Sequence, residues 1–286
     1  MGILLGLATA FAWGTSDFFA RFVTRRVGTL RSLFYMQTWG FLLLTACLIF
    51  TRSWGHLFDG SGWRPWAWGF LAGGCNTVAM FFFYRCLEVG KVAVVAPLSA
   101  SYPVLTLFLS MFSGERLSLL RSCGVAAVLI GVILVARGEV ATDDSSKSMR
   151  SGILWALIAA IFFGALFWLL GVRIIATTGP YASLWLIRMT GSLASLSVLL
   201  FRRMSVLKSP GSSNWQPPLM GLLDTSAFAL SNRGMQMEQI SIVTVLSSLY
   251  GAVTVLLAAI LLRERVHASQ WCGIVAIFSG IGLIGL

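Results

Sequence analysis

The sequence predicts an all-α membrane protein in which ten transmembrane helices form two inverted five-helix repeats. Composition is the first observation: hydrophobic residues make up 57% of the 286 residues, charged residues only 11%, and the mean hydropathy is +0.85. A soluble domain cannot bury that much apolar surface. The second observation is that the apolar segments are long and continuous, and do not alternate in polarity as barrel strands do. The third is an internal repeat.

Ten apolar segments account for the predicted helices, and each is about 20 residues long, enough to cross a bilayer. Charged residues, prolines and glycine clusters mark their ends. The first span is expected to remain in the mature protein, because it lacks a basic start, contains Asp17 and has no clear cleavage site. The spans lie at about 3–22, 31–50, 65–86, 92–113, 118–136, 151–171, 182–200, 216–237, 241–262 and 267–286.

The internal repeat is clearest between the stretches GERLSLLRSCGVAAVLIGVIL and RERVHASQWCGIVAIFSGIGLI. Because each half has five spans, an odd number, the second half must be inverted relative to the first. The predicted repeats are residues 1–140 and 151–286, joined by a polar linker at 141–150. An offset of 149 positions relates Glu115 to Glu264, Arg116 to Arg265, Cys123 to Cys272, Gly124 to Gly273 and Gly131 to Gly280.

The net charge of +11 is interpreted as a topology signal, since the basic residues lie almost entirely between spans. We therefore expect the lipid bilayer as a partner, and no nucleic acid. The odd-numbered connections carry 14 Lys and Arg residues and the even-numbered ones 6. By the positive-inside rule, the connection with Arg25 and Arg26 is cytoplasmic and both termini lie outside.

Spans one and six carry the aromatic candidates Trp13 and Trp168 for the wall of a cavity. Asp17 also lies in span one, four residues before Arg21, so the two side chains share a helix face. A local ion pair near the membrane surface is the plain interpretation of Asp17, and contact with a substrate is the alternative.

Spans three and eight place polar residues at matching depth, since Asp224 nearly corresponds to Asn76 under the repeat. Tyr84 and Asn232 are further candidates on these spans. Together with the two tryptophans, they suggest a cavity lined by aromatic and amide groups, which suits amphipathic solutes with an apolar part.

Arg188 in span seven and Asp224 are ionisable groups inside spans, where a charge costs roughly 2.5–3.5 kcal/mol on insertion scales. Such residues usually line a transport pathway, so the pair is a candidate for substrate binding or proton coupling. Two structural alternatives remain open. The residues could form a buried ion pair that holds neighbouring helices together, or Arg188 could extend to the membrane interface.

Span four, VAVVAPLSASYPVLTLFLSMF, is expected to bend, because Pro97 and Pro103 each remove a backbone hydrogen bond. Broken backbone is tolerated at membrane depth only where it faces protein or a cavity. Ordinary packing of small residues is the alternative explanation for the hydroxyl groups here. The pathway candidates in span four and in the corresponding part of span nine are Ser99, Tyr102, Ser248 and Tyr250.

Charged pairs precede spans five and ten, and their symmetry favours anchoring or gating over contact with a substrate. These pairs are Glu115 with Arg116 and Glu264 with Arg265. The five cysteines lack metal-type spacing, and we find no P-loop, zinc motif, nucleophile elbow or plausible catalytic histidine. The sequence therefore predicts that the protein is not an enzyme and has no catalytic residue, bound metal or cofactor.

The motif AFAWGTSDF and the repeated GER or RER followed by a span with G-x6-G resemble the EamA type of the drug/metabolite transporter superfamily. The resemblance covers the whole chain. It implies a ten-helix carrier of small organic solutes, with a cavity lined mainly by the third, fourth, eighth and ninth helices. It also implies cytoplasmic termini, opposite to the charge count. The second half departs from the motif, with Phe162, Phe163 and Gly164 where the first half has Trp13 and Gly14.

These observations predict a secondary transporter that moves a small-molecule solute by alternating access around a central cavity. Amino acids or similar amphipathic solutes are the expected substrates, export the expected direction, and a bacterial inner membrane the expected location. Proton coupling and the oligomeric state stay open. The alternative is a membrane-embedded enzyme or flippase-like protein that handles lipids or isoprenoids. The enzyme would need clustered His, Asp or Glu at one interface, and the sequence has no such cluster.

Overall fold

The structure, a computed structural model, describes residues 1–111, 118–137, 143–206, 214–237, 240–263 and 268–285. Within these ranges every regular element is a helix, which confirms the all-α prediction. The first half contains α1 (Gly2–Val27), α2 (Thr29–Thr51), α3 (Arg64–Val89), α4 (Val92–Ser99), α5 (Pro103–Met111) and α6 (Leu119–Arg137).

The second half begins with α7 (Asp143–Leu169), which continues through a π-helical turn, Leu170–Ile174, into α8 (Ile175–Thr178). A second π-helical turn, Ala258–Leu262, follows α12. The remaining helices are α9 (Pro180–Phe201), α10 (Gln216–Met237), α11 (Ile240–Ser248), α12 (Tyr250–Leu257) and α13 (Ala268–Gly285).

Helices occupy each of the ten predicted spans, although not all of them are equally apolar. Two shorter apolar helices, Leu119–Leu134 and Trp271–Ile284, lie within α6 and α13. α10, which carries Asp224, is less apolar than the other long helices. Seven described segments are long and apolar enough to cross a membrane, as expected for a multi-pass integral membrane protein: Gly2–Val27, Thr29–Thr51, Arg64–Val89, Val92–Leu109, Ser148–Thr178, Pro180–Phe201 and Val243–Leu262.

Glycine makes the same tight corner in both halves. Gly28 joins α1 to α2 with φ 90° and ψ 161°, and Gly179 joins α8 to α9 with φ 93° and ψ 154°. In each corner the glycine N–H donates to a carbonyl of the preceding helix, at Thr24 or Ile175. Because a positive φ strains residues that have a Cβ atom, glycine is the residue that fits both corners.

Glycines also bring α6 and α13 into close contact. A Cβ atom on Gly124 would lie 2.7 Å from the carbonyl oxygen of Gly280, and one on Gly131 would lie 2.6 Å from that of Gly273. The contact advances along α6 as it retreats along α13, so the two helices are antiparallel. Small residues at this crossing allow the backbones to touch, which is how helices associate closely in membranes.

The fourth and ninth predicted spans are both interrupted near their middle. α4 ends at Ser99 and α5 begins at Pro103, so the break lies between the two prolines and Pro97 stays inside α4. α11 ends at Ser248 and α12 begins at Tyr250, in a stretch without proline. The bend expected from proline in span four is therefore an interruption of the helix between Ser99 and Pro103. Span nine has a shorter interruption, at Leu249, where no proline is present.

Serine hydroxyls accompany both breaks. Ser99 Oγ donates to the carbonyl of Ala96 at 2.9 Å, and Ser248 Oγ donates to that of Val245 at 2.7 Å. Hydroxyls that bond back to the preceding turn compete with the helical ladder and bend the helix. These bonds are a feature that the two breaks share, whereas proline is present in only one.

Candidate substrate cavity

A central cavity lies between α1, α3, α7 and α10, beside the two helix breaks. Its cavity volume is about 30 Å³. In this form the cavity has room for water and not for a metabolite. Its lining residues are Trp13, Asp17, Asn76, Met80, Phe83, Tyr102, Phe163, Phe167, Asp224, Phe228 and Tyr250.

Aromatic rings form most of the wall. Trp13 makes edge contacts with Phe167, Phe228 and Tyr250, with ring centroids 5.7, 5.6 and 6.1 Å apart. Tyr102 stacks on Phe167 at 4.9 Å, and Phe167 stacks on Phe228 at 5.8 Å. These separations are those of favourable aromatic pairs, so the rings support one another as a continuous cage.

Two glycines bring this cage together. A Cβ atom on Gly14 would lie 2.8 Å from the carbonyl oxygen of Tyr250, and one on Gly164 would lie 2.9 Å from that of Tyr102. α1 can therefore touch the break before α12, and α7 can touch the break before α5. The FFG stretch of the second half thus fulfils the packing role of the Trp13–Gly14 motif, with a smaller ring.

The two tyrosine hydroxyls cross between the halves of the chain. Tyr102 Oη donates to the carbonyl of Thr244 at 3.3 Å and lies 3.4 Å from Ser247 Oγ. Tyr250 Oη lies 3.2 Å from Ser99 Oγ. Each tyrosine from one broken helix therefore binds the serine region of the other, which ties the two breaks to each other.

Arg188 and Asp224 form a buried ion pair. Arg188 Nη2 donates to Asp224 Oδ2, and Nη1 donates to Gln37 Oε1 at 3.1 Å and contacts Met36 Sδ at 2.9 Å. The guanidinium carbon lies 5.6 Å from the ring centroid of Phe228. Asp224 faces the cavity, whereas Arg188 is fully buried outside its lining. The position of Arg188 excludes the alternative in which this side chain extends to the membrane interface.

Asp17, unlike Asp224, has no charged partner among the described residues. It is 4% exposed and faces the cavity, and in the part of the chain that the structure describes no group donates a hydrogen bond to it or pairs with its charge. The local ion pair expected with Arg21 does not form, because Arg21 Nη1 donates to the carbonyl of Gly90 at 3.3 Å. The prediction for Asp17 from helical spacing was therefore wrong about its partner.

The structure brings together five of the predicted pathway residues in the cavity lining: Trp13, Asn76, Tyr102, Asp224 and Tyr250. Within the described residues, Asn76 Nδ2 is buried and has no hydrogen-bond partner. Tyr84 is fully buried on α3 and is not part of the lining.

Other predicted residues lie elsewhere. Trp168 is half-buried and outside the cavity lining, because Phe163 and Phe167 occupy the face of α7 that points inward. Asn232 is buried and its Nδ2 donates to the carbonyl of Pro180 at 2.8 Å, so it supports packing between α9 and α10. Ser248 makes only its bond to Val245 among described groups. The anchoring or gating candidates Glu115, Arg116, Glu264 and Arg265 lie outside the described residues.

Sequence reasoning missed several lining residues that the structure identifies: Met80, Phe83, Phe163 and Phe167. One signal could have found two of them. Trp13 and Asp17 are four residues apart in span one, and Phe163 and Phe167 have the same spacing 150 positions later. Corresponding helices of a repeat turn corresponding faces inward, so this pair was a candidate by symmetry.

Several known proteins resemble this chain in sequence. The sequence matches the EamA-like transporter family over residues 1–137 and 150–286. It is 28% identical over 208 residues to the "Uncharacterized transporter YxxF" of Bacillus subtilis, a match that covers 71% of this chain and 64% of that protein's own length. It is 30% identical over 95 residues to an "Uncharacterized transporter in cobO 3'region" of Sinorhizobium, covering 33% of this chain and 67% of that protein.

The fold also matches a solved crystal structure with a TM-score of 0.68 and 19% sequence identity. The match covers 99% of this chain and 95% of the other, so it includes both halves of the fold. The cavity described above is therefore set in an architecture that another protein shares. From its sequence match over nearly the whole chain, this protein belongs to the EamA-like transporter family, and its apolar helices are those of a multi-pass integral membrane protein.

Proposed function

We propose that the protein is a secondary carrier of small organic solutes, built from two inverted five-helix repeats of residues 1–140 and 151–286. Its substrates are metabolites such as amino acids or similar amphipathic molecules, and its direction is export across a bacterial inner membrane. The observation that carries the proposal is the cavity, which draws its wall from both halves of the chain beside two broken helices. Sites of this kind are typical of carriers with inverted repeats.

Reciprocal contacts support the inverted repeat. Gly124 touches Gly280, and Gly131 touches Gly273; an offset of 149 positions converts each contact into the other. An approximate two-fold axis generates pairs of this kind, and an axis within the membrane plane makes the equivalent helices antiparallel. The antiparallel crossing of α6 and α13 agrees with such an axis.

The lining itself repeats in the same way. Tyr102 and Tyr250 are 148 positions apart, as are Asn76 and Asp224, and each pair contributes both members to the cavity. A solute bound there would contact both halves at once. Rocking of one half against the other would then widen the cavity toward one side of the membrane at a time, which is alternating access.

A transport assay with purified protein in liposomes tests the proposal. Liposomes are loaded with a mixture of amino acids and related metabolites, and the solutes lost over time are identified by mass spectrometry against protein-free liposomes. Met80→Trp fills the cavity and is expected to slow transport without changing any charge. Met237→Trp at the exposed end of α10 is the matched control and should transport normally. No protein-dependent loss of any solute would contradict the proposal.

A lipid-handling activity is the second candidate, and one observation favours it. An apolar groove between α5, α6 and α7, with a volume of about 500 Å³, includes the exposed side chains of Phe108 and Met111 and reaches Tyr102. Tyr102 therefore separates this groove from the central cavity. Flipping of a fluorescent phospholipid in the same liposomes, measured by quenching from outside, would support the lipid reading in place of the solute carrier.

Proton coupling and orientation remain separate parts of the proposal. Asp224 is the candidate coupling group because it is the ionisable member of its pair that reaches the cavity. An outward-directed pH gradient across the liposomes should change the wild-type transport rate if protons are coupled. For orientation, a cysteine introduced at Gly28 is labelled with an impermeant reagent in intact cells. The charge count puts this connection inside the cell and predicts no labelling, whereas the family resemblance puts it outside and predicts labelling.

A further inference from the structure

We infer that the cavity selects organic cations, solutes in which an ammonium group is attached to an apolar body, and that Asp17 is the counter-ion. The inference names a substrate class for the cavity of the proposed carrier, and so rests on that function for transport. Binding can be measured without transport, so the two can fail separately.

The charges around the cavity are unequal in a way that favours a cation. Of the two carboxylates in the lining, Asp224 is neutralised by Arg188 from behind the wall. Asp17 has no described partner, and the cavity residues that the structure describes include no Lys, Arg or His. An unpaired buried carboxylate is costly, and a bound cation relieves that cost. A second carboxylate or a phosphate on the solute would instead be repelled.

The aromatic wall provides the second feature that a cation needs. Trp13 lies one helical turn before Asp17 and holds three further rings around it at 5.6–6.1 Å. Ring faces attract ammonium groups, and cages of several rings bind methylated ammonium ions in many proteins. In this cavity Phe228 already has a cation near it, since Arg188 lies 5.6 Å from its centroid. The cage and the unpaired carboxylate therefore offer complementary contacts to the same kind of ligand.

Asn76 adds a preference for a ligand that carries a hydrogen-bond acceptor. Its Nδ2 is buried in the lining and has no hydrogen-bond partner among the described groups. A buried amide donor without an acceptor is uncommon, and a ligand that brings one removes the deficit. A hydroxyl or carbonyl oxygen on the solute would meet this need. The expected ligand is therefore an ammonium ion with an apolar part and one nearby oxygen.

Equilibrium binding to the purified, detergent-solubilised protein tests the inference with three labelled probes: choline, tetramethylammonium and phenethylammonium. At least one should bind, and 3,3-dimethylbutanol, which has the shape of choline without its charge, should not compete. Asp17→Asn should weaken binding about tenfold or more, because it removes the charge and keeps the shape. Trp13→Leu should also weaken binding while Asp17 is still present.

Asp59→Asn is the matched control, since it makes the same chemical change on an exposed connection. Hydrogen bonds from Ser61 and His56 lower the pKa of the Asp59 carboxyl to about 2, so this residue is charged at neutral pH. Its variant should bind the probes like the wild type. A monodisperse elution profile of each variant on size exclusion shows that the comparison concerns folded protein.

Three results would overturn the inference. They are the failure of all three probes to bind the wild type, equal binding by well-folded Asp17→Asn, and effective competition by the uncharged isostere. Transport of neutral or zwitterionic solutes without cation binding would support the proposed carrier function and contradict the proposed cation site. Cation binding without transport of any solute would leave the site intact and remove the carrier function.

Discussion

The two walls of the cavity share a backbone arrangement and differ in chemistry. On one wall α1 meets the break before α12, and Thr254 Oγ1 donates to the carbonyl of Gly14 at 3.2 Å. On the other wall α7 meets the break before α5, and Thr106 Oγ1 donates to the carbonyl of Gly164 at 3.1 Å. The same contact thus occurs twice, made by corresponding residues of the two halves.

The side chains that these walls present are not equivalent. Asp17 on α1 corresponds in position to Phe167 on α7, and Asp224 on α10 corresponds to Asn76 on α3. The wall contacts are repeated because both halves need the same close helix packing. The charges are not repeated, because Asp17 and Asp224 stand where the other half has Phe167 and Asn76. The comparison teaches that the symmetry holds for the packing of the helices and not for the charges that line the cavity.

The largest effect is expected where the two halves differ most, at the ion pair. Asp224→Asn leaves Arg188 buried without its carboxylate and should lower the free energy of unfolding by about 3–5 kcal/mol. Folded yield and thermal unfolding in detergent measure this loss. The double variant Asp224→Asn with Arg188→Gln should recover folded yield, because neither charge is then present.

Transport by the double variant separates the two roles of the pair. Recovered yield with recovered transport indicates a structural pair, whereas recovered yield without transport indicates a direct role of Asp224 in the cavity. A single Asp224→Asn variant that is well expressed and transports at the wild-type rate would remove Asp224 from the candidate site.

The next effect tests the feature that the halves share. Gly14→Ala and Gly164→Ala each place a Cβ atom less than 3 Å from a backbone carbonyl oxygen, and each should destabilise the protein by about 1–3 kcal/mol. Gly74→Ala on α3 is the control, because a Cβ atom there meets open space. Thermal unfolding of the three variants provides the measurement. A large loss in one of the first two variants with none in the other would break the equivalence of the walls.

The smallest effect concerns the tyrosine hydroxyls. Tyr102→Phe and Tyr250→Phe each remove a hydrogen bond between the two broken helices and should cost about 1 kcal/mol, the usual net value of such a bond. Tyr181→Phe serves as the control, because the structure gives Tyr181 no side-chain hydrogen bond among the described groups. If thermal unfolding shows no loss in either cavity variant, the contacts between the breaks contribute nothing to stability.

Much of the site was predictable because its helix faces are local features. Asp224 was selected as an ionisable group inside a span, and the repeat paired Asn76 with it. Tyr102 was selected in the proline-containing span four and Tyr250 in its counterpart in span nine, and all four residues line the cavity. Trp168 was selected by residue type alone. It lies outside the lining because a helix turns about 100° per residue, which puts Phe167 inward and its neighbour away from the centre.

The break in span nine was not predictable from proline, the usual signal. Ser247 and Ser248 bond back to the preceding turn, but serine in a membrane helix is also an ordinary packing residue. A serine that bends its helix and a serine that packs against a neighbouring helix look the same in the sequence, because the neighbouring helix is not known. The tertiary structure shows the interruption at Leu249, with α1 packed against Tyr250 directly after it.

The sequence by itself determined that the chain is helical and lies in a membrane, because apolar composition and segment length depend on no distant contact. It also predicts an internal repeat, since the offset between the halves can be counted along the sequence. Tertiary structure decided which charges pair. Asp17 and Arg21 had the spacing of an ion pair, yet Arg21 is directed to Gly90 and Asp17 to the cavity, while Asp224 pairs with Arg188 from another helix. Spacing fixes the face on which a side chain lies, whereas its partner depends on which helix packs against that face.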